Sequence, residues 1–208
     1  MPMIVITGGI GAGKSTALRQ FQELGAHCAD ADEVAHRLYA PGTPLLQDIA
    51  RLFGQEMLKE DGSLDRPRLA RRVFARPKDL QRLNGATHPA IRRELSRLES
   101  LAAPRPLFAA IPLWHESGWA MPAIPVIAVW CPPELQWQRL RQRGWSPQEI
   151  AARLQSQLSL EEKRRRADYV LETTGTLEDL RRQCLALLQK LDPGATLPRG
   201  REDATPRE

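Results

Sequence analysis

The chain has 208 residues, 42% of them apolar and 26% charged, a balance that excludes a disordered or fibrous protein. Lysine and arginine total 30 against 25 acids, a formal charge of +5. The basic excess precedes the last stretch, in which Arg199, Arg201 and Arg207 meet Asp192, Glu202, Asp203 and Glu208. Such a field suits a polyanion, whether nucleotide, coenzyme or nucleic acid. No apolar run approaches the ~20 residues of a membrane span; the best, Val126 to Cys131, fits a buried strand. Met1 to Ile6 lacks a basic start and runs into glycines, so no signal peptide is expected. Cys28, Cys131 and Cys184 lie far apart without a C-x-x-C pair, so a disulfide framework is not expected and a reducing cytoplasm is.

In chain order, Met3 to Thr7 reads as a strand buried on both faces, followed by a glycine cluster. Ala17, Leu18, Phe21 and Leu24 recur at helical spacing, and Gly25 closes that helix. A second strand, Ala26 to Ala29, precedes a helix opened by Asp30-Ala31-Asp32. Strand, helix, strand within thirty residues predicts a parallel α/β sheet flanked by helices. From Asp32 to about Ala102 the pattern is helical: Thr43-Pro44 caps one helix, Asp61-Gly62 marks a turn, and Ile91, Leu95, Leu98 and Leu101 form one stripe. Leu107 to Ile111 and Val126 to Cys131 are the third and fourth strands, each stopped by proline. Pro133 to Arg143 is a basic helix, Ser146-Pro147-Gln148-Glu149 a capping box, and Tyr169 to Leu171 a last strand. Thr176 caps a final helix that carries Leu177, Leu180, Cys184, Leu187 and Leu191. Residues 193–208 are almost free of apolar side chains and are expected to form a disordered tail.

Gly8-Gly9-Ile10-Gly11-Ala12-Gly13-Lys14-Ser15, with Thr16 following, fits the phosphate-binding loop G-x-x-x-x-G-K-[ST]. Glycines let backbone N–H groups wrap a phosphate, Lys14 adds a point charge, and the Ser15 hydroxyl is a ligand for Mg²⁺. The loop also lies between a buried strand and an amphipathic helix, the context it requires. The dinucleotide fingerprint G-x-G-x-x-G fails, because Gly9-Ile10-Gly11 leads to Lys14 where the last glycine should stand.

A phosphate loop fixes what is held and not what becomes of it. The Asn-Lys-x-Asp of guanine-specific switches is absent, and the strands at Ile111 and Cys131 end in proline rather than in the acid of motor-type ATPases. Asp30 and Asp32 follow the second strand, where a small-molecule kinase needs a carboxylate to accept the acceptor's proton. An aspartate before a helix is also an ordinary N-cap. Arg139 and Arg143, four apart, share one helical face and suit either a cation clamp on phosphates or a solvated basic face. Lys163 to Arg166 reads as surface. His115-Glu116 lacks the second histidine of a zinc helix, and Trp114, Trp119, Trp130, Trp137 and Trp145 read as packing.

Together these segments resemble the bacterial dephospho-CoA kinase family over roughly residues 4–191. The resemblance is carried by Thr7 to Thr16, Asp30-Ala31-Asp32, Phe53-Gly54, Asp61 to Arg66 and His88-Pro89. It continues through Pro112 to Glu116, the helix from Gln136 to Arg143, and Ala167-Asp168. It implies one phosphate-loop kinase domain (1–192), with a helical acceptor region over about 32–102 and a lid over about 136–160. It also implies transfer of the ATP γ-phosphate, with Mg²⁺, to the ribose 3′-hydroxyl of dephospho-CoA, with small molecules as the only partners. By the same resemblance Asp32 is the base, and Lys14, Ser15 and the backbone of Gly8, Gly9, Gly11, Ala12, Gly13 and Thr16 handle phosphate and metal. Arg139 and Arg143 are lid contacts, and Arg66, His88 and Glu116 lie on the acceptor side. Ala12 stands where the family commonly has serine, Trp114 where it has leucine, and Thr173-Thr174 where it has asparagine before glycine. A nucleotide or sugar kinase, or a nucleic-acid-binding ATP sensor, are the alternative readings.

Overall fold

The structure, a computed structural model, describes residues 3–118 and 124–195. The chain divides into two compact units, residues 29–101 and the remainder before and after them. The larger unit is built on strands β1 (Ile4–Thr7), β2 (His27–Asp30, at the unit's boundary), β3 (Leu107–Ala110), β4 (Val126–Trp130) and β5 (Tyr169–Glu172). They lie in the order β2-β3-β1-β4-β5. Val5 aligns with Ala109 of β3 on one side and Val126 of β4 on the other, and Val129 aligns with Leu171, all in parallel register. All four residues of β1 are buried, as are those of β3, which is why both read as continuous rather than alternating apolar runs. Strand order reverses beside β1, so the segment leaving its carboxyl end sits where open α/β sheets bind ligands.

Helices α1 (Lys14–Glu23) and α9 (Leu177–Leu191) pack together on this sheet. Phe21 stacks on Phe108 at 4.6 Å, both fully buried, and each contributes on the order of 2–3 kcal/mol of burial free energy. Cys184 and Leu188 enter the same cluster, as the three-and-four spacing requires. Residues α6 (Pro133–Gln142), α7 (Pro147–Gln155) and α8 (Leu160–Arg165) fill the stretch between β4 and β5. The capping box expected at Ser146 is formed, with both reciprocal bonds to Glu149.

The smaller unit holds α2 (Ala31–Leu38), α3 (Pro44–Phe53), α4 (Arg66–Ala75) and most of α5 (Pro77–Ala102). Its core joins Leu46, Ile49, Phe53, Met57, Leu64 and Leu69. One antiparallel bridge, Leu58 to Leu64, is its nearest approach to a sheet, so the strand-free expectation for this stretch holds. Helix α5 runs unbroken through Pro89, which withholds an N–H from the Gly85 carbonyl one turn earlier. The stripe expected on it is shorter than the spacing predicts. Ile91 and Leu95 are buried, but Leu101 is 68% exposed at the frayed end of the helix.

At the other end of the chain the described residues run to 195. Asp192 is 2% exposed, and Arg105 pairs with it at 2.8 Å while donating to the Gly25 carbonyl at 2.9 Å. Ala195 packs against the larger core. The rest of the expected disordered tail, 196–208, lies outside the described residues, as does Trp119.

Candidate active site

The glycine loop leaves β1 and enters α1 with Gly11 at φ 78° and Gly13 at φ 96°, a left-handed region that side chains with a Cβ rarely adopt. A Cβ at Gly11 would also stand 3.0 Å from Leu140, and one at Gly13 3.1 Å from Thr173. Space and backbone both demand glycine. Helix α1 then starts at Lys14 with no side-chain cap and no acid in its first turn. By contrast α2, α3, α4, α7, α8 and α9 are capped by Asp30, Thr43, Asp65, Ser146, Ser159 and Thr176. Uncapped N–H groups, the positive end of the helix dipole and the adjoining Lys14 are groups to which phosphate oxygens could bind. Ser15 is exposed and places a hydroxyl beside them.

Four outside contacts fix the loop's shape. Gln136 donates to the Ile10 carbonyl at 2.7 Å, and the Ile10 N–H donates to Gln157 at 3.4 Å. The Ala12 carbonyl accepts the Thr173 hydroxyl at 2.8 Å and Arg139 Nη1 at 3.4 Å. Because Ala12 contributes its carbonyl and a fully buried methyl, the loop loses no contact through lacking a serine hydroxyl there.

A cleft of about 430 Å³ opens beside the loop, lined by Gly11, Gly13, Arg139, Arg143, Thr173 and Leu177. A lining that holds guanidinium groups and leucine suits a flat, electron-rich ring with a charged tail. The structure therefore brings Arg139 and Arg143 into one cleft with Gly11, Gly13 and Thr16, the residues that flank Lys14 and Ser15 in the chain. It also narrows the role of Arg139, whose Nη1 donates to the Thr173 hydroxyl at 2.8 Å and whose Nη2 donates to the Thr173 carbonyl. Arg139 thus braces the loop and lines the cleft, while among the described residues Arg143, at the C-terminal cap of α6, has no such tie. Thr173 occupies the middle of this brace and is buried.

One expectation from the sequence is corrected here. Lys163, read as part of a surface run, is 1% exposed; its Nζ donates to the Pro112 carbonyl at 2.6 Å and pairs with Glu116 at 2.8 Å. Glu116, placed on the acceptor side by the resemblance, is engaged by Lys163 and by the Leu158 N–H at 2.9 Å. These two partners outweigh burial and hold its carboxyl below the ordinary glutamate range. Burial, offset in part by Glu116, holds the Lys163 ammonium below its usual value, and repulsion from Lys14 adds to this. A signal for Lys163 existed: Leu160, three residues earlier and buried, shares its helix face. Beside them His115 has a buried Nε2 without a hydrogen-bond partner, and burial followed by the Lys163 charge pushes its pKa down.

In the smaller unit, Asp30 takes the N-cap, its Oδ1 accepting the Asp32 N–H at 2.8 Å. Asp32 is exposed in the first turn of α2, so the capping role falls to Asp30 and not to Asp32. Arg66 opens α4, donates Nη2 to His36 Nδ1 at 3.0 Å and lies 5.4 Å from the Tyr39 ring centre. A cleft of about 450 Å³ runs along His36, Arg37, Tyr39, Lys59, Ser63 and Arg66, three cations and an aromatic suited to an anionic ligand. His88 sits in α5, where burial and then Arg92 lower its pKa. Among the described residues no cluster of three or more His, Cys, Asp or Glu side chains could hold a metal ion.

Comparison with known proteins agrees with this geometry. The family model described as dephospho-CoA kinase matches residues 2–179. A dephospho-CoA kinase of Syntrophotalea carbinolica is 40% identical over 203 residues, covering 95% of this chain and 96% of that protein. One of Methylococcus capsulatus is 44% identical over 172 residues, 82% of this chain and 87% of its own. Among solved structures, TT1252 of Thermus thermophilus superposes with a TM-score of 0.78 at 40% identity, covering 91% of this chain and 98% of that one. The dephospho-CoA kinase of Campylobacter jejuni gives 0.67 at 31% identity, covering 94% and 100%. A family model spanning most of the chain, and relatives matched along nearly their whole length, leave one conclusion: the chain belongs to the dephospho-CoA kinase family.

Proposed function

We propose that the protein transfers the γ-phosphoryl group of ATP to the ribose 3′-hydroxyl of dephospho-CoA, giving coenzyme A and ADP. The observation that carries this is the uncapped start of α1 beneath the glycine loop, with Lys14 and Ser15 in its first turn, in a chain of this family. Backbone N–H groups and Lys14 hold the β- and γ-phosphates, and the nucleoside lies in the cleft between Arg139 and Leu177. A hard oxygen donor at Ser15 without a surrounding carboxylate cage fits Mg²⁺, which takes most of its ligands from phosphates and water. When bound it would neutralise charge developing between the β- and γ-phosphates. Asp32 orients the acceptor hydroxyl and takes its proton, while Arg66 and His88 bind on the acceptor side. Arg143 stabilises the charge on the transferred group, and Arg139 holds the loop that carries it.

The reaction is placed in the cytoplasm, where free thiols such as Cys28 and Cys184, pushed up to about 12 by burial, stay reduced. No described helix is long and apolar enough to cross a membrane.

Incubation with Mg-ATP and a panel of dephospho-CoA, AMP, shikimate, gluconate and adenosine tests the assignment, with products identified by mass. Dephospho-CoA alone should gain one phosphate, with one ADP formed per turnover. Phosphorylation of another acceptor in its place would overturn the assignment.

A further inference from the structure

Lys163 is the most deeply buried cation among the described residues, and the reaction outlined above gives it no part. Burying an ammonium is costly, and an apolar side chain of the same length would avoid that cost. Its surroundings explain its presence. The Pro112 carbonyl that accepts Lys163 Nζ at 2.6 Å also accepts the Thr7 hydroxyl at 3.2 Å, and Thr7 is the last residue before the glycine loop. Glu116, paired with Lys163, accepts the Leu158 N–H, and the neighbouring Gln157 side chain accepts the Ile10 N–H inside the loop. Leu160, on the same short helix as Lys163, lies within 3.0 Å of where a Cβ on Gly9 would stand. One ammonium thus joins three segments: the entry to the loop, the chain leaving β3, and the turn between α7 and α8 that touches the loop from outside.

We infer that Lys163 is a positioning residue of the phosphate site, locking the α7–α8 turn and the end of β3 onto the glycine loop so that its N–H groups stay aimed at the phosphates. The inference rests on the reading of that loop as the ATP site. Glu116 is the second half of the lock, placed here in the same unit as the loop and acting on phosphate binding.

The lock is built so that its removal spares the fold. With Lys163→Met the Pro112 carbonyl keeps the Thr7 hydroxyl, Glu116 keeps the Leu158 N–H with its side chain 19% exposed to water, and the methionine fills the same volume. No buried acceptor is left without a donor.

The experiment compares the wild type, Lys163→Met and Glu116→Gln by calorimetric titration with ATP and, separately, with adenosine, alongside thermal unfolding and steady-state kinetics. Lys163→Met should weaken ATP binding by about tenfold or more, the loss expected for a charge-assisted hydrogen bond, and lower kcat/KM at least as much. Adenosine, which has no phosphate for the loop to grip, should bind the variant and the wild type alike, and the thermal midpoint should stay within a few degrees. Glu116→Gln should show the same split in smaller measure, and the double variant should lose no more than Lys163→Met alone. Equal losses for ATP and adenosine, accompanied by a falling midpoint, would overturn the inference and make Lys163 a fold-holding residue. Unchanged ATP affinity in Lys163→Met would overturn it as well. A wild type that binds no ATP would overturn the reading of the site beneath it, a result distinct from either.

Discussion

Lys14 and Lys163 show how one residue type takes opposite roles from its surroundings. Lys14 is legible in the sequence because its neighbours are glycines and a hydroxyl in fixed order. Lys163 is hidden in a run of four cations that periodicity alone treats as equivalent. In the fold they part: Lys163 turns inward beneath Leu160, Arg164 lies 4.5 Å from the Trp130 ring centre, and Arg165 and Arg166 pair with Glu162 on the outside. Asp30 and Asp32 divide in the same way, and only the fold shows that Asp30 is the cap. Asp32→Asn should therefore lower kcat by about a hundredfold or more while ATP affinity stays within about threefold, since a base acts on the acceptor and not on the nucleotide. Stopped-assay kinetics with calorimetry checks the split, and unchanged turnover would remove Asp32 from that role.

His115 offers a second test at this scale. Its pKa is depressed in the fold, mainly by burial and then by Lys163, with Arg166 adding to that and Glu116 and Glu162 opposing. The unfolded chain, with the ordinary value of 6.5, then binds the proton more readily than the folded one. Its contribution to stability is complete above that value and is lost as pH falls through it towards the lower folded value. His88, depressed in the same direction, adds to the effect. Thermal midpoints measured between about pH 7.5 and pH 5.5 should fall, and His115→Gln, which cannot titrate, should reduce the slope. An identical slope in the variant would show that His115 does not sense pH.

At the scale of elements, the strands were readable to within a residue or two, because parallel strands buried on both faces leave continuous apolar runs bounded by glycine or proline. Helix starts were readable where a cap names them, at Thr43, Ser146 and Thr176. Continuity was harder to read. Pro89 argues for a break, yet α5 passes through it because tertiary packing around Ile91 and Leu95 outweighs one missing hydrogen bond. The basic helix α6 was legible as a helix but not as a brace, since the partners of Arg139 and Gln136 lie more than thirty and more than a hundred residues away. Helix α7 depends on its cap and on Arg153 lying 4.3 Å from the Trp145 ring centre. Ser146→Ala should destabilise it by about 1 kcal/mol. Amide hydrogen exchange in α7 should quicken about fivefold, while amides of β4 and α9 keep wild-type rates. Uniform quickening through all three would show that the cap supports the whole unit rather than its own helix.

For the whole molecule, length and composition set only the class, and the positive charge set only the sign of the ligand. The order of motifs along the chain carried the family, and the family model and full-length relatives agree with it. The sequence switches from apolar runs to helical spacing near Asp32 and back near Ala102, and the smaller compact unit runs from residue 29 to residue 101. What stayed hidden was the long-range bonding that makes the glycine loop rigid. Gln136, Thr173 and Gln157 reach it from segments that no local pattern connects to Gly8–Ser15. Everything assigned to catalysis depends on that loop gripping a triphosphate. The most direct measurement is calorimetric titration of the folded protein with Mg-ATP, run in parallel on Lys14→Ala. The wild type should release heat that saturates at one ATP per chain, with affinity reduced at least about tenfold in the variant. A folded wild type that gives no heat, or a variant that binds ATP as tightly, would contradict it.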